Sequence, residues 1–170
     1  LDDLHNLVVS LFDLARDLFG RSVSIVTSNT GDYLLVGSIN DTDGAFRCGS
    51  AYVFHKGEFG WEQQVKLHNP APAADDNFGN EVSLAVSPDG VEMFGIVGAY
   101  RTNDTATDSG SAFIFQHLKT EWPQIAKLTA PNPKASDMFG FSVGIDIAST
   151  PRRAIVGAWR EDGAAMDTGA

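Results

Sequence analysis

The chain has 170 residues and a formal net charge of −10, with 43% hydrophobic and 20% charged residues. This length allows one domain, and the acidic balance excludes the basic stripe of a nucleic-acid-binding protein and disfavours an anionic membrane surface. One cysteine excludes an internal disulfide framework and a cysteine-based zinc site, and no apolar run approaches the roughly 20 residues that insert across a membrane.

Residues 1–16 fit two predicted elements. Apolar residues from Leu4 to Leu18 fall on one helical face, with Asp2 or Asp3 as its cap. The same segment also occupies the place of a last strand before a repeat unit, with Leu7-Val8 where Lys66-Leu67 stands later. We expect the strand, because the repeat described next requires an element there.

Residues 17–70 contain four motifs, each in a stretch typical of a β-strand. The motifs are Phe19-Gly20, Val36-Gly37-Ser38, Gly49-Ser50-Ala51-Tyr52-Val53-Phe54, and Trp61 with Lys66-Leu67. The residues after Phe-Gly alternate between polar and apolar, and the stretch leading to Val36 is a continuous apolar run. Turn-forming stretches rich in Asn, Asp, Gly and Pro separate the strands.

Residues 71–130 repeat these motifs in the same order, and residues 131–170 begin a third copy. The echoes are Phe78-Gly79, Val97-Gly98-Ala99, Gly110-Ser111-Ala112-Phe113-Ile114-Phe115 and Trp122 with Lys127-Leu128, then Phe139-Gly140, Val156-Gly157-Ala158 and Gly169-Ala170. Successive Phe-Gly copies are 59 and 61 residues apart. Four short strands in roughly 60 residues are typical of one propeller blade.

The sequence therefore predicts an all-β fold made of β-propeller blades with four antiparallel strands each. The chain would hold about two and a half blades: a final strand in 1–16, full blades over 17–70 and 71–130, and a partial blade over 131–170. Because propellers close with about four to eight blades, we expect an incomplete propeller. The rest of the same polypeptide, or identical subunits, would complete it.

The recurring residues have predicted structural roles. Phe19, Phe78 and Phe139 would fill the wedge between blades, and Gly20, Gly79 and Gly140 would allow close backbone approach. The aspartates two residues before each Phe, namely Asp17, Asp76 and Asp137, would accept backbone N–H groups in a turn.

These motifs resemble the FG-GAP repeat, the blade of the integrin α-subunit propeller, and most closely the variety found in large secreted proteins of bacteria and algae. The resemblance is carried by the stretches 17–25 and 61–67 and covers nearly all of residues 17–170. It implies a propeller fold and a secreted, extracellular or cell-surface location.

The resemblance also implies a calcium loop between the first two strands, but the matching stretches do not supply one. Residues 27–32, 87–92 and 146–152 lack three to five oxygen ligands at alternate positions. A different acidic loop, Asp41-Thr42-Asp43-Gly44, fits either a metal site or a solvated turn, and the turn is favoured. We expect no cofactor, with calcium as the alternative that the absence of the family loop disfavours.

Several further residues are candidates for chemistry. The four histidines, His5, His55, His68 and His117, occupy unrelated repeat positions and are interpreted as surface or half-buried strand residues. Trp61 and Trp122 would cover the blade edge, with stacking on sugars as the alternative. Cys48 would form an intermolecular disulfide or lie buried as a small apolar residue. Asn40 and Asn103 begin glycosylation sequons in the same loop of two blades.

Three functions remain open at this point. The favoured one is a non-catalytic extracellular structural or adhesive propeller segment of a larger protein or assembly. The second is a propeller module that binds a glycan or an extracellular protein through the loops 38–49 and 99–110. The third is a propeller appended to a separate catalytic domain. Repetition without a divergent cluster of titratable side chains argues against an enzyme within the chain.

Overall fold

The computed structural model describes residues 17–161, which form ten β-strands. The strands are β1 (Phe19–Ser28), β2 (Gly31–Ser38), β3 (Ser50–Gly57), β4 (Gly60–Leu67), β5 (Val82–Val86), β6 (Met93–Ala99), β7 (Ser111–Gln116), β8 (Gln124–Leu128), β9 (Phe139–Asp146) and β10 (Arg153–Ala158). Among these described residues there is no helix of the length and hydrophobicity needed to cross a membrane. The element predicted in 1–16, His5 and the motif at Gly169-Ala170 lie outside the described residues.

The ten strands form two four-stranded sheets and one strand pair. Strands β1 to β4 pair in chain order, as do β5 to β8, and β9 pairs with β10. All these neighbours are antiparallel. The prediction of an all-β fold with four-stranded antiparallel blades and an incomplete last blade is therefore confirmed. We call β1–β4 blade 1, β5–β8 blade 2, and β9–β10 the third strand pair.

Antiparallel pairing places the chain reversals at two opposite edges of each blade. The short β1–β2, β3–β4, β5–β6 and β7–β8 connections share one edge, which we call the turn edge. The long connections 39–49 and 100–110, and the crossings between blades, share the other, the loop edge. Strands of five to ten residues separate the two edges by about 17–33 Å.

The main hydrophobic core lies between blade 1 and blade 2. Leu35 and Val53 of blade 1 and Val97 and Phe113 of blade 2 are fully buried in one cluster. Val36, one residue after Leu35, belongs to a second cluster, because successive residues of a strand point to opposite faces. The continuous apolar run of β2 therefore serves both faces of blade 1, as expected for a strand between two packed layers.

Hydrogen bonds between side chains and the backbone join neighbouring blades at or near their first strands. Ser22 Oγ accepts a bond from the backbone N–H of Val82 at 3.1 Å, and Ser24 Oγ accepts one from Leu84 N–H at 2.9 Å. The side-chain amide of Asn80 donates to the carbonyl of Phe141 at 2.8 Å. These bonds satisfy strand-edge groups without merging adjacent blades into one sheet.

The Phe-Gly motif connects a blade to a loop of the preceding blade through a backbone hydrogen bond. The Phe78 ring is fully buried, with its centroid 5.3 Å from that of Phe113. Its backbone N–H donates to the carbonyl of Cys48 in blade 1 at 2.9 Å. The backbone N–H of Phe139 makes the equivalent bond to Ser109 at 3.0 Å.

The glycines of this motif lie where two backbones approach most closely. Gly79 and Gly140 have φ angles of +89° and +91°, and a Cβ at either would overlap a carbonyl oxygen of the preceding blade. Gly20 has a similar φ of +86° but no atom within 4 Å of its Cβ position. The predicted close approach is thus present at Gly79 and Gly140, which follow a described blade.

Candidate functional site

The two long connections of the loop edge have the same backbone framework. In blade 1 the N–H of Gly49 donates to the carbonyl of Asp41 at 3.0 Å, and in blade 2 the N–H of Gly110 donates to Thr102 at 3.1 Å. Each bond closes its loop just before the third strand begins. The loops therefore project side chains from a fixed base at equivalent positions of the two blades.

In blade 1 this loop holds a carboxylate–lysine–phenol cluster. Buried Asp41 accepts a hydrogen bond from the Tyr52 hydroxyl at 2.6 Å and pairs with Lys66 Nζ at 2.8 Å. Lys66 also pairs with the exposed Asp43 at 2.6 Å. Burial acts to raise the pKa of Asp41, but the bonds from Lys66 and Tyr52 outweigh it and the pKa lies below its usual value.

The same bonds shift the partners of Asp41 in the opposite direction. Burial, and next the bond to Asp41, raise the pKa of Tyr52 to about 12. Burial acts to lower the pKa of Lys66, but its bonds to Asp41 and Asp43 raise it overall. At neutral pH the cluster therefore holds a charged lysine and a protonated phenol, which is neither a general base nor a nucleophile.

Blade 2 builds a matching cluster with different residues. Lys127, at the position of Lys66, pairs with Asp104 at 2.5 Å, and Asp104 also accepts hydrogen bonds from the hydroxyls of Ser111 and Thr102. Burial acts to raise the pKa of Asp104, but these bonds lower it overall. The pairs Lys66–Asp43 and Lys127–Asp104 are thus equivalent, since both of their residues are 61 positions apart in the two blades, and Thr102 replaces the second acid of blade 1, Asp41.

These lysine–carboxylate ion pairs engage the acids of the Asp41–Gly44 loop, for which a metal site is the alternative to a solvated turn. A lysine of the same blade engages the carboxylates at 41, 43 and 104. Within residues 17–161 no group of three or more His, Cys, Asp or Glu side chains could hold a metal ion. At the stretches matching the family calcium loop, hydroxyls bind the acids instead: Thr27 donates to Asp32 at 2.7 Å and Ser149 to Asp146 at 2.6 Å.

The aspartates of the Phe-Gly motif are buried turn residues. Asp76 accepts from the backbone N–H of Ala73 at 2.8 Å and from the Asn69 amide at 3.0 Å. Asp137 accepts from the backbone N–H of Lys134 at 2.6 Å. Burial raises the pKa of Asp76. The observed bonds are those that the sequence predicted for a structural role.

The sequon asparagines lie at different depths in the loops. Asn103 is exposed, and its side-chain oxygen accepts the backbone N–H of Asp108 at 2.7 Å. Asn40 is half-buried, and its backbone N–H donates to the carbonyl of Asp17 at 2.9 Å. Of the two, Asn103 therefore offers the more accessible side chain.

The tryptophans and the cysteine are placed by packing. Trp122 is buried, and its indole N–H donates to the Gln64 side chain of blade 1 at 2.8 Å. Trp61 is half-buried against the second hydrophobic cluster. The burial of Trp122 leaves its ring inaccessible to a sugar. Cys48 is buried with its thiol directed at the carbonyls of Asp41 and Asp43, so a disulfide to another chain would require its loop to open.

Two histidines converge in a way that the repeat pattern did not predict. The rings of His55 and His117 lie 4.6 Å and 5.0 Å from the ring of Tyr33, and His68 is exposed elsewhere. His55 pairs with Tyr33 in the β2–β3 register, a signal that a strand alignment could have supplied. His117 arrives from blade 2, and only the packing of the two blades reveals it.

The two outer faces of the array expose side chains that are buried between blades elsewhere. Val23 and Ile25 of β1 are 62% and 61% exposed, whereas Val82 and Leu84, at the same positions of β5, are 3% and 6% exposed. At the other end Ile155 of β10 is 75% exposed. Its counterparts in blades 1 and 2, Leu35 and Ile96, are fully buried.

The comparisons with known proteins agree with this repeat architecture. A family model described as an FG-GAP repeat matches residues 13–54, 61–115 and 122–170. The second match begins in the last strand of blade 1 and ends in the third strand of blade 2, so the repeat unit spans the junction between blades. No curated protein matches the chain.

Proposed function

Because the chain belongs to the FG-GAP repeat family, we propose that it is a non-catalytic, extracellular structural or adhesive segment of a β-propeller. Further blades, from the same polypeptide or from identical subunits, would cover its two outer faces. The observation that carries the proposal is the exposure of Val23 and Ile25 at one end and of Ile155 at the other. Each is an apolar side chain that the repeat buries wherever a described neighbour is present.

The junction of blades 1 and 2 serves as the template for this assembly. There Val82 and Leu84 lie against blade 1, and their backbone N–H groups bind Ser22 and Ser24. Val23 and Ile25 present the same arrangement to a blade on the other side. Full burial of one aliphatic side chain contributes about 1.5–3 kcal/mol, so covering both faces is a substantial driving force.

The ion pairs of the loop edge support a structural role. The acids at 41, 43 and 104 bind lysines of their own blades, and the acids at 76 and 137 bind backbone N–H groups. An active site instead requires a nucleophile or base free to reach a substrate. FG-GAP repeats are typical of extracellular and cell-surface proteins, which supports an extracellular location, as do the two sequons in the loop edge.

The assembly is tested by charging one face at a time. We expect the wild-type chain to associate head to tail as its concentration rises, measured by sedimentation velocity. Val23→Asp with Ile25→Asp should block one face, and Ile155→Asp the other. Since each variant keeps one intact face, an equimolar mixture should form a heterodimer and nothing larger.

Phe59→Asp is the matched control, because Phe59 is 89% exposed in the β3–β4 turn and lies on neither face. This variant should associate like the wild type. A wild-type chain that stays monomeric at every concentration, or a loss of association in all variants equally, would overturn the assembly.

The extracellular location is tested at the sequons. Expressed through a eukaryotic secretory pathway, the chain should carry glycan at Asn103 with higher occupancy than at Asn40, because Asn103 is exposed and Asn40 is half-buried. Intact-mass spectrometry of the wild type, Asn103→Gln and Asn40→Gln assigns each glycan. A secreted chain without glycan on Asn103 would contradict this placement.

A second candidate is a protein-binding module that uses the loop edge. Phe46 is 61% exposed, and the guanidinium of Arg47 lies 5.2 Å from its ring centroid. Thr107 takes the place of Phe46 in blade 2, so this exposed aromatic is particular to blade 1. Aromatic residues with arginine are enriched at protein interfaces. Phe46→Ala should abolish binding to an extracellular partner without changing the thermal stability of the chain.

A further inference from the structure

A histidine of blade 2 lies among aromatic side chains at the junction with blade 1. His117 directly follows β7, and its ring centroid lies 5.0 Å from that of Tyr33 in β2 and 5.1 Å from that of Trp122. Trp122 in turn donates its indole N–H to the side chain of Gln64 in blade 1 at 2.8 Å. The backbone N–H of His117 donates to the carbonyl of Met93 in blade 2 at 2.9 Å. Contacts with both blades therefore hold this imidazole in place.

One ring nitrogen of His117 has no hydrogen-bond partner. Its Nε2 atom is buried and makes no hydrogen bond within residues 17–161, while the backbone of Lys119 bonds to the ring. A neutral imidazole carries one N–H, whichever nitrogen holds it, whereas a charged imidazole carries an N–H on both nitrogens. Protonated His117 would therefore combine a positive charge with a buried Nε2–H that lacks an acceptor. Such a group is unfavourable to bury.

The titratable and charged groups around His117 do not offset a charge on its ring. On blade 1, His55 of β3 contacts the same tyrosine with ring centroids 4.6 Å apart, and Glu62 of β4 lies opposite His55 in the strand register and is exposed. On the loop after β7, Lys119 and Glu121 are exposed and opposite in charge. No ion pair among the described residues includes His117. Burial is the main reason that the pKa of His117 is lowered, and a charge on His55 adds to it.

We propose that His117 makes the junction of blades 1 and 2 an acid-sensitive switch, which is closed while the ring is neutral and opens when the ring takes up a proton. Opening would separate His117 from Tyr33 and let water reach Nε2, so that the charged ring is solvated in the open state. The switch goes beyond the structural role proposed above and does not depend on it.

The direction of the pH effect follows from the two states of the ring. A solvated histidine has a pKa of about 6.5, and the pKa of His117 in the closed junction lies below its usual value. The closed junction is therefore fully favoured above the solvated pKa and loses stability as pH falls below it. The open population should rise by up to about tenfold between about pH 7.5 and pH 5.5.

Hydrogen exchange of the full chain, followed by NMR at these two pH values and corrected for the intrinsic rates, tests the switch. Two N–H groups report on it, because their bonds cross the junction: the indole N–H of Trp122, bound to Gln64, and the amide of Leu84, bound to Ser24. Their protection should fall by up to about tenfold at the lower pH. Amides of β9 and β10 should keep their protection, since these strands contain no histidine.

His117→Phe keeps an aromatic ring at the junction and removes the titrating group, so the pH dependence of both N–H groups should disappear. His68→Phe is the matched control, because His68 is exposed and lies away from this cluster. It should retain the full pH dependence. Equal loss of protection in wild type and His117→Phe, or an equal loss in β9 and β10, would overturn the switch.

A direct titration of the wild-type chain keeps the test independent of any variant. The ¹⁵N resonances of the imidazole should show that His117 takes up its proton at lower pH in the folded chain than in the urea-unfolded chain. Protonation at the same or a higher pH in the folded chain would overturn the proposal, and so would unchanged protection of Trp122 and Leu84 at the lower pH.

Discussion

At the residue scale, one lysine per blade organises the loop edge. Lys66 and Lys127 occupy the same position after the repeated Trp, and each reaches the acid that its own loop provides. The repeat predicts that both lysines exist, because Lys-Leu recurs. The same step of 61 residues relates Asp43 to Asp104, so the repeat also predicts one acidic partner for each lysine. It does not predict the second acid, Asp41, because Thr102 stands at that position in blade 2.

Replacement of Lys66 by Met should destabilise the chain by about 1–3 kcal/mol at neutral pH, because buried Asp41 loses its charged partner. The pKa of Asp41 is lowered in the folded state. Its contribution to stability is therefore present above the unfolded-state pKa and lost as pH falls through the folded-state pKa. Urea unfolding should thus show a difference between Lys66→Met and wild type that shrinks in acid.

Lys119→Met serves as the control for this measurement, because Lys119 is exposed and lies far from Asp41, at the opposite edge. It should leave stability unchanged. A loss in Lys66→Met that is equally large at acid pH would show that the lysine acts through its methylene packing and not through its charge.

Cys48 gives a second prediction at this scale. Its side chain is buried, and burial raises the pKa of the thiol, so both access and thiolate population are low. The native chain should not react with a thiol reagent such as dithionitrobenzoate, and the denatured chain should react fully. An introduced Phe59→Cys thiol should react at once. If Cys48 of the native chain reacted at a comparable rate, its thiol would be accessible, and an intermolecular disulfide would again be the favoured interpretation.

At the element scale, the repeat predicted the strands and their order, and local chemistry adjusted their ends. The last strand of blade 2 was predicted from Trp122, but β8 begins at Gln124. Pro123 intervenes, and it has no N–H for a ladder, although its carbonyl accepts from Gln116. The contact of His117 with Tyr33 was not predictable, since it depends on how two blades pack and on no pattern within either.

Gly79→Ala and Gly20→Ala form a matched pair that separates backbone strain from close approach. Both glycines have φ near +90°, but only a Cβ at Gly79 overlaps the backbone of a neighbouring blade. Gly20→Ala should cost about 1–2 kcal/mol from the left-handed conformation alone. Gly79→Ala should cost clearly more, because β5 must move away from Ser50.

Thermal and urea unfolding of the two variants measure the difference. In a background where Trp61 and Trp159 are replaced by Phe, the fluorescence of Trp122 gives a local readout, since this ring lies at the junction of blades 1 and 2. Equal losses of stability in the two variants would show that φ strain accounts for both glycines. The close approach at Gly79 would then make no contribution to the free energy of unfolding.

At the scale of the whole molecule, stability should vary along the array according to how many neighbours each blade has. In repeat proteins it is close to a sum of terms for each unit and each junction. Blade 2 has blade 1 on one side and the third strand pair on the other, joined through Ser22, Ser24 and Asn80. Among the described residues, blade 1 and the third pair each have one such junction.

Hydrogen exchange followed by mass spectrometry should therefore show the slowest exchange in β6 and β7, which are central in blade 2 and almost fully buried. Strands β9 and β10 should exchange fastest, because Ile155 and the adjoining strand edge are exposed.

Raising the protein concentration should slow exchange in β1 and in β9–β10 together if the two outer faces meet. Val23→Asp with Ile25→Asp should remove that concentration dependence and leave β6 and β7 protected. Protection that is uniform along the chain at every concentration would mean that it folds as one cooperative unit, without separable junctions.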